Sequence, residues 1–363
     1  MKLAVNKITK PLANNGLENV KNIGSKVVEK ITSEPVQKKA ISVMDKIFFE
    51  QYMFARNLSL KTTNDEIKKL FELNGDEFLF GAYDFLLKKM GVPESLRPQI
   101  VSVPQNEKIG MAYSFVSNQL ILNPNNKKNS NIEIYGLLRH EFQHLLQNID
   151  IFRNLEIKDD AIDLYTKKTI EINLLNIKHM VKNLSFEQLK ELGYNEEALN
   201  FYKELKEIYQ NGGEEKLTQK LNELAEESIP EFKDKFNAFS DLVIKEMGPL
   251  KQGSREAGRS VKFFKEIFND FSYWKPDGSV HLGKYVTDVR ENEALISQEI
   301  AVSDVKSALE NEKSCYIQTI KKNVDTLKQQ INDNEQGAKE MVESSKEIHN
   351  KYSLKEYIDY LFN

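Results

Sequence analysis

Cysteine is nearly absent from this sequence, since Cys315 is the only one among 363 residues. An internal disulfide is therefore excluded, and no Cys-x-x-Cys pair is present to form a thiolate zinc site. The N-terminus has no apolar stretch of signal-peptide length, and no run approaches the roughly 18 apolar residues of a membrane span. We therefore expect a cytoplasmic protein without a membrane span, although export or injection without a classical signal would also fit this sequence.

An excess of positive charge is also lacking. The chain has 51 Lys and Arg against 55 Asp and Glu, a net charge of -4, and both signs are scattered along it. No cationic face for nucleic acid can be read from these totals, so we expect no nucleic-acid partner. The length and the 40% hydrophobic content are sufficient for one large domain or two ordinary ones.

Most of the chain has helical periodicity, with one β-prone interruption. Apolar positions recur at helical spacing from about 37 to 92 and again through most of 160–270. Between Ile100 and Asn123, three short β-prone runs separated by turn residues predict a small β-meander. The sequence therefore predicts an α+β protein that is mostly α.

The segment His140–His144 reads His-Glu-Phe-Gln-His and lies in a predicted amphipathic helix. A Ser-x-x-Glu capping box at Ser130 marks the start of this helix. Its apolar stripe consists of Ile134, Leu138, Phe142, Leu145 and Ile149. Two histidines one turn apart present their imidazoles to one metal ion, and Glu141 lies beside the open coordination position.

A surface helix with two chance histidines is the simpler interpretation of this segment. The chain contains 5 histidines. With so few, multiplying residue frequencies gives a random match roughly once in a hundred chains or less. The position of the motif, in a capped amphipathic helix that follows a predicted strand, further favours a metal site.

The motif and its setting resemble the zincin metallopeptidases, in which an edge strand precedes the His-Glu-x-x-His helix. The strand-like segment Gln119–Asn123 occupies the matching place. The resemblance covers about 100–150 and 280–300. It implies a Zn²⁺ cofactor, a peptide or protein substrate added along that edge strand, and Glu141 taking a proton from a zinc-bound water.

The identity of the third protein ligand separates the zincin branches. Metzincins would place it at Asp150, but Gln147 stands where they have Gly, so we expect the helix to continue past the metal. Gluzincins take a Glu from a later helix, which begins here near Val289. In lethal-factor-type peptidases that Glu precedes an Ala by three residues, which points to Glu291. Thermolysin-like enzymes have Glu directly before Ala, which points to Glu293.

Glu291 and Glu293 are about 200° apart on a helical wheel, so a regular helix cannot direct both to one ion. We prefer Glu291. The gap between His144 and Glu291 is much longer than in thermolysin and requires a helical insertion between them. The resemblance also suggests Tyr285 as a donor to the developing oxyanion, with His281 as a weaker candidate.

These observations predict a gluzincin-like core with a helical insertion. We divide the chain into a flexible tail (1–35), helices with the small sheet and the motif helix (36–155), a helical insertion (156–272), a third-ligand segment (273–303) and a C-terminal helical hairpin (304–363). The predicted function is a zinc metalloendopeptidase with ligands His140, His144 and Glu291.

Two other functions remain open at the sequence level. The abundant helices after 155 favour a helical interaction or effector protein, in which a zinc site is structural or inactive. A regulatory peptidase that cleaves a repressor is a third possibility, but no helix-turn-helix signature supports it. Gln147 and Asp288 are candidates to orient a ligand imidazole.

Overall fold

The computed structural model describes residues 41–42, 58–102, 111–115, 117–123, 129–191, 194–270 and 288–310, with isolated positions between 318 and 329. The predicted tail, Tyr285, His281 and most of the predicted C-terminal hairpin lie outside the described residues. The described chain clusters into two compact units. The first unit comprises residues within Met1–Tyr113, Leu120–Ile151 and Lys251–Asn363. The second comprises residues within Ser114–Gln119 and Phe152–Leu250.

The described elements confirm a mostly helical α+β protein with a small three-stranded sheet. In chain order they are α1 (Asn64–Phe71), α2 (Gly75–Lys89), a 3-10 turn (Glu94–Leu96), β1 (Gln99–Ser102), β2 (Met111–Ser114), β3 (Gln119–Leu122), α3 (Asn131–Arg153), α4 (Lys158–Asn183), α5 (Phe186–Glu191), α6 (Glu196–Met247), α7 (Arg255–Asp270) and α8 (Val289–Glu310). Within these residues, no helix is both long enough and apolar enough to cross a membrane.

The sheet is small, and its strand order differs from the prediction. The order is β1-β3-β2, so β3 is the central strand. The predicted meander is therefore wrong, because β3 pairs with β1 as well as with its hairpin partner β2. The predicted edge role of Gln119–Asn123 is also wrong, since β3 has a neighbour on each side. Within the described sheet, β2 is the edge strand that precedes α3 most closely in sequence.

Helix α3 begins and packs as its sequence predicts. Ser130 N donates to Glu133 Oε2 at 2.8 Å, and Glu133 N donates to Ser130 Oγ at 3.4 Å, which is the reciprocal pattern of a capping box. The helix continues past the motif to Arg153, as expected without a glycine after His144. Four of the five predicted stripe residues are fully buried: Leu138, Phe142, Leu145 and Ile149.

Burial of this stripe forms the core of the first unit. Phe142 meets Tyr83 of α2 edge-to-face with ring centroids 5.5 Å apart, and Phe78 and Leu86 of the same helix are fully buried. Leu120 of β3 is also fully buried. Helix α8 packs on α1 and α7.

Helices α3 and α8 run antiparallel, and side chains of α8 pack against Gly136 of α3. A Cβ added to Gly136 would lie 2.8 Å from Val302 Cγ2 and 3.2 Å from Gln298 Cγ. Near the other end of this interface, Gln147 of α3 donates to Arg290 O at the start of α8. The absence of a side chain at Gly136 therefore lets the two helices approach.

The second unit is built from α4, α5 and α6. Its core includes Val181, Leu189, Leu199, Leu205, Leu217 and Leu221. The backbone of α6 is non-helical at Gly213, with φ 66, a conformation that glycine adopts without a steric penalty. Pro230 lies inside α6, where it has no N–H to donate to the carbonyl of Glu226, and the exposed position of Glu226 lets water bind that carbonyl.

The predicted helical insertion at 156–272 extends further than this second unit. Phe152–Leu250 belongs to the second unit, whereas Lys251 onward belongs to the first. Helix α7 therefore lies with the first unit, where Arg259 forms an ion pair with Glu293 of α8. Long-range contact of this kind leaves no local mark in the sequence.

Candidate metal centre

His140 and His144 are placed by one turn of α3. The buried face of the helix fixes the backbone positions of both histidines, because the neighbouring side chains Leu138, Phe142 and Leu145 are fully buried. The two imidazoles meet at an angle of 79°, with ring centroids 5.0 Å apart. Their Nε2 atoms are 3.3 Å apart, so both rings direct the same nitrogen to one point.

Glu291 reaches this point from the first turn of α8. Asp288 caps the helix: its Oδ1 accepts from Arg290 N at 2.7 Å and from Glu291 N at 3.3 Å. This cap fixes the backbone position of Glu291. A carboxylate in the first turn is also stabilised by the exposed N–H groups of the helix start, which favours the ionised form that a metal requires.

The three side chains form a triangle in which each histidine faces a different oxygen of Glu291. Glu291 Oε2 is 3.6 Å from His140 Nε2, and Glu291 Oε1 is 3.5 Å from His144 Nε2. Among the described residues, His140, His144 and Glu291 are the group of His, Cys, Asp or Glu that gathers three ligand atoms within 4.8 Å. Their side chains stay 11%, 13% and 13% exposed, so solvent reaches the group.

Glu141 lies beside this triangle, against the sheet. It is buried, and its Oε2 accepts from Tyr113 N of β2 at 2.9 Å. Burial lowers the pKa of His140, but the hydrogen bond to Glu291 and the nearby charge of Glu141 outweigh it and leave that pKa raised. The negative charge of Glu141 therefore favours the protonated form of His140.

The two imidazoles differ in their electrostatic surroundings. Burial, together with the nearby His140 and Arg290, lowers the pKa of His144 to about 4, although Glu291 opposes the shift. His144 is therefore neutral at physiological pH, which is the form that binds a metal.

Gln147 contacts the outer nitrogen of His144. Gln147 Oε1 lies 2.9 Å from His144 Nδ1, and Gln147 Nε2 donates to Arg290 O at 3.0 Å. Of the two candidates to orient an imidazole, Gln147 contacts a ring and Asp288 caps α8. His140 Nδ1 is buried and has no hydrogen-bond partner within the described part of the chain.

Glu293, the alternative third ligand, belongs to a different cluster. Its carboxylate accepts a hydrogen bond from Gln143 Nε2 and forms an ion pair with Arg259 of α7. Arg139 donates to Gln143 Oε1 at 2.7 Å, and burial lowers the pKa of Arg139 to about 10 although Glu293 opposes this shift. The structure thus brings Glu291 to the histidines and directs Glu293 into a buried polar network.

Among the described residues, Asp150 is a sequence candidate that does not join the triangle. It lies on α3 beyond His144. Tyr285 and His281 lie outside the described residues. The network of Arg139, Gln143 and Arg259 was not predicted from the sequence. Its one sequence signal is that Arg139 and Gln143 lie beside the apolar face of a helix that was expected to be buried.

Searches of this chain against protein-family models, curated proteins and solved structures each found no match.

Proposed function

We propose that this protein is a zinc-dependent metallopeptidase with His140, His144 and Glu291 as the protein ligands. The observation that carries the proposal is the triangle of these three side chains, in which the histidine Nε2 atoms are 3.3 Å apart and each lies 3.5 or 3.6 Å from one oxygen of Glu291. Two imidazoles and one carboxylate are a donor set that catalytic zinc uses, with a fourth position left for water or substrate.

The donor set favours zinc over a harder octahedral ion. Two nitrogens bound at about 2.0–2.1 Å to one tetrahedral zinc are about 3.3–3.4 Å apart, and the Nε2 atoms of His140 and His144 are 3.3 Å apart. Two imidazole ligands also suit zinc better than magnesium or calcium, which prefer oxygen.

Zinc, when bound, supplies Lewis acidity to a carbonyl group and lowers the pKa of a coordinated water. Glu141 is the residue we assign as general base, because it occupies the Glu position of the His-Glu-x-x-His segment, beside the open coordination position. It takes a proton from the attacking water and delivers it to the leaving amine as the C–N bond breaks. The Tyr113 N–H holds one carboxylate oxygen of Glu141, which orients the other.

A peptide is the substrate class that the surroundings of Glu141 favour. Strand β2 is an edge strand of the described sheet, and Glu141 contacts it at Tyr113. An extended peptide that added to this edge by main-chain hydrogen bonds would lie beside Glu141. The predicted use of β3 for this purpose is replaced by β2, since β3 is central.

The decisive variant is Glu141→Gln. The amide oxygen can still accept from Tyr113 N, so the fold and the metal content should persist, but the base is lost. Cleavage of a broad peptide library by the zinc-loaded wild type, with a loss of about 10²-fold or more in the variant, is the expected result. Full activity in a zinc-loaded Glu141→Gln protein would remove Glu141 from the mechanism. Stoichiometric zinc without any cleavage by the wild type would instead indicate a structural or inactive zinc site.

A further inference from the structure

Gln147 uses both ends of its side-chain amide at the metal centre. It lies on α3 one turn after His144 and is fully buried. Its oxygen meets His144 Nδ1 at 2.9 Å, and its nitrogen donates to Arg290 O at 3.0 Å. Arg290 Nε approaches the same oxygen at 3.4 Å. A buried amide with this many partners has one orientation available to it.

The Arg290 contact determines that orientation. A backbone carbonyl only accepts hydrogen bonds, so the end of the Gln147 amide that faces Arg290 O must be the NH₂ group. The amide oxygen then faces His144 Nδ1, which must carry the proton. A neutral imidazole has one N–H, so the lone pair is left on His144 Nε2. That is the atom 3.3 Å from His140 Nε2 and 3.5 Å from Glu291 Oε1.

The same contact links the two helices that supply ligands. Arg290 directly precedes Glu291, and its carbonyl lies at the start of α8. Gln147 therefore connects His144 on α3 to the backbone beside Glu291 through one side chain. His140 has no matching support among the described residues, since its buried Nδ1 lacks a hydrogen-bond partner there.

We propose that Gln147 is a positioning residue of the metal centre. It selects the His144 tautomer with Nε2 free and holds that imidazole in register with Glu291. This inference rests on the metal site of the proposed function but does not require that the protein cleave peptides. A metal-bound histidine is generally oriented by a partner at its outer nitrogen, and loss of such a partner weakens metal binding about 10–100-fold.

The chain offers a matched control in Gln143. Both glutamines are buried on α3, one turn apart, and both reach α8, but Gln143 contacts Arg139 and Glu293 instead of a histidine. Zinc affinity would be measured by competition with a chromogenic chelator for the wild type, Gln147→Met and Gln143→Met. We expect about 10–100-fold weaker binding in Gln147→Met and less than about threefold change in Gln143→Met.

A second readout reports the tautomer itself in the metal-free protein. Long-range ¹H–¹⁵N NMR of ¹⁵N-histidine-labelled protein distinguishes Nδ1–H from Nε2–H, and His144→Ala assigns the resonance. We expect Nδ1–H in the wild type and in Gln147→Glu, whose carboxylate still accepts from Nδ1. We expect loss of this preference in Gln147→Met. Gln147→Glu cannot donate to Arg290 O, so its zinc affinity should fall between those of the wild type and Gln147→Met.

The inference is overturned if Gln147→Met, folded by circular dichroism, keeps both the wild-type tautomer and the wild-type zinc affinity. An equal loss of affinity in Gln143→Met and Gln147→Met would also overturn it, because the effect would then be one of general packing. A wild type that binds zinc but cleaves no peptide refutes the proposed peptidase and leaves the role of Gln147 intact. A wild type that binds no zinc refutes both.

Discussion

Glu291 and Glu293 lie two residues apart on α8 but point to different partners. The Glu291 carboxylate is 3.5 and 3.6 Å from two imidazole nitrogens of α3. The Glu293 carboxylate accepts from Gln143 and pairs with Arg259 of α7. A separation of about 200° around the helix axis makes this division unavoidable. One short segment therefore contributes to a candidate metal site and to a buried ion pair on opposite sides.

Glu291→Gln and Glu293→Gln should have opposite effects. Glu291→Gln removes an anionic ligand, so zinc should be lost while the metal-free protein keeps its stability. Glu293→Gln removes the carboxylate charge that pairs with Arg259 in a largely buried setting, which should cost about 2–3 kcal/mol of unfolding free energy while zinc is retained. Elemental analysis and urea unfolding of both variants measure the two properties.

The wild type and Glu291→Gln should be compared in unfolding after exhaustive chelation, so that metal binding does not contribute to stability. If Glu293→Gln lost its zinc and Glu291→Gln kept it, our choice between the two carboxylates would be reversed.

Asp288 should affect zinc binding through the start of α8. Its Oδ1 accepts from Arg290 N and Glu291 N, so Asp288→Ala removes the cap beside the third ligand. We expect a loss of about 1 kcal/mol in unfolding free energy together with weaker zinc binding. Asp288→Asn keeps an acceptor oxygen and should retain most of both. Urea unfolding and chelator competition test this, and an Asp288→Ala protein unchanged in zinc affinity would show that the cap does not position Glu291.

Gly136 should be intolerant of alanine because α3 and α8 touch there. The added Cβ would lie 2.8 Å from Val302 Cγ2, and valine has few rotamers in a helix with which to move away. Overpacking costs about 1–3 kcal/mol, while the better helix propensity of alanine offsets up to about 1 kcal/mol. We therefore expect net destabilisation of Gly136→Ala by urea unfolding.

A double-mutant cycle isolates this contact. Val302→Ala removes the opposing methyl group, so Gly136→Ala should cost less in that background than in the wild type. A coupling of about 1 kcal/mol would confirm close helix contact. Additive effects would show that the two helices are further apart at Gly136 than the structure has them.

The local features of this site could be predicted from its sequence. The capping box at Ser130, the extent of α3 past His144 and the start of α8 at Val289 all follow from rules that act within one or two turns. The pairing of His140 with His144 is likewise a property of one helix. These features can be predicted because they depend on residues that are close together in the chain.

The remaining features depend on contacts between distant segments. The choice between Glu291 and Glu293 as third ligand depends on a long-range contact. Gln143, 150 positions before Glu293 in the sequence, donates a hydrogen bond to the Glu293 carboxylate. The strand order β1-β3-β2 is set by which backbone edges meet, and short β-prone runs carry no information about that order. The bridge from His144 through Gln147 to Arg290 is equally a product of the α3–α8 interface.

The most direct test of the account is the zinc content of untagged, purified protein, measured by elemental analysis for the wild type and His144→Ala. We predict one zinc per wild-type chain and none in the variant, because His144 supplies one corner of the ligand triangle. A correctly folded wild type that contains no zinc and takes up none when zinc is added would contradict the account.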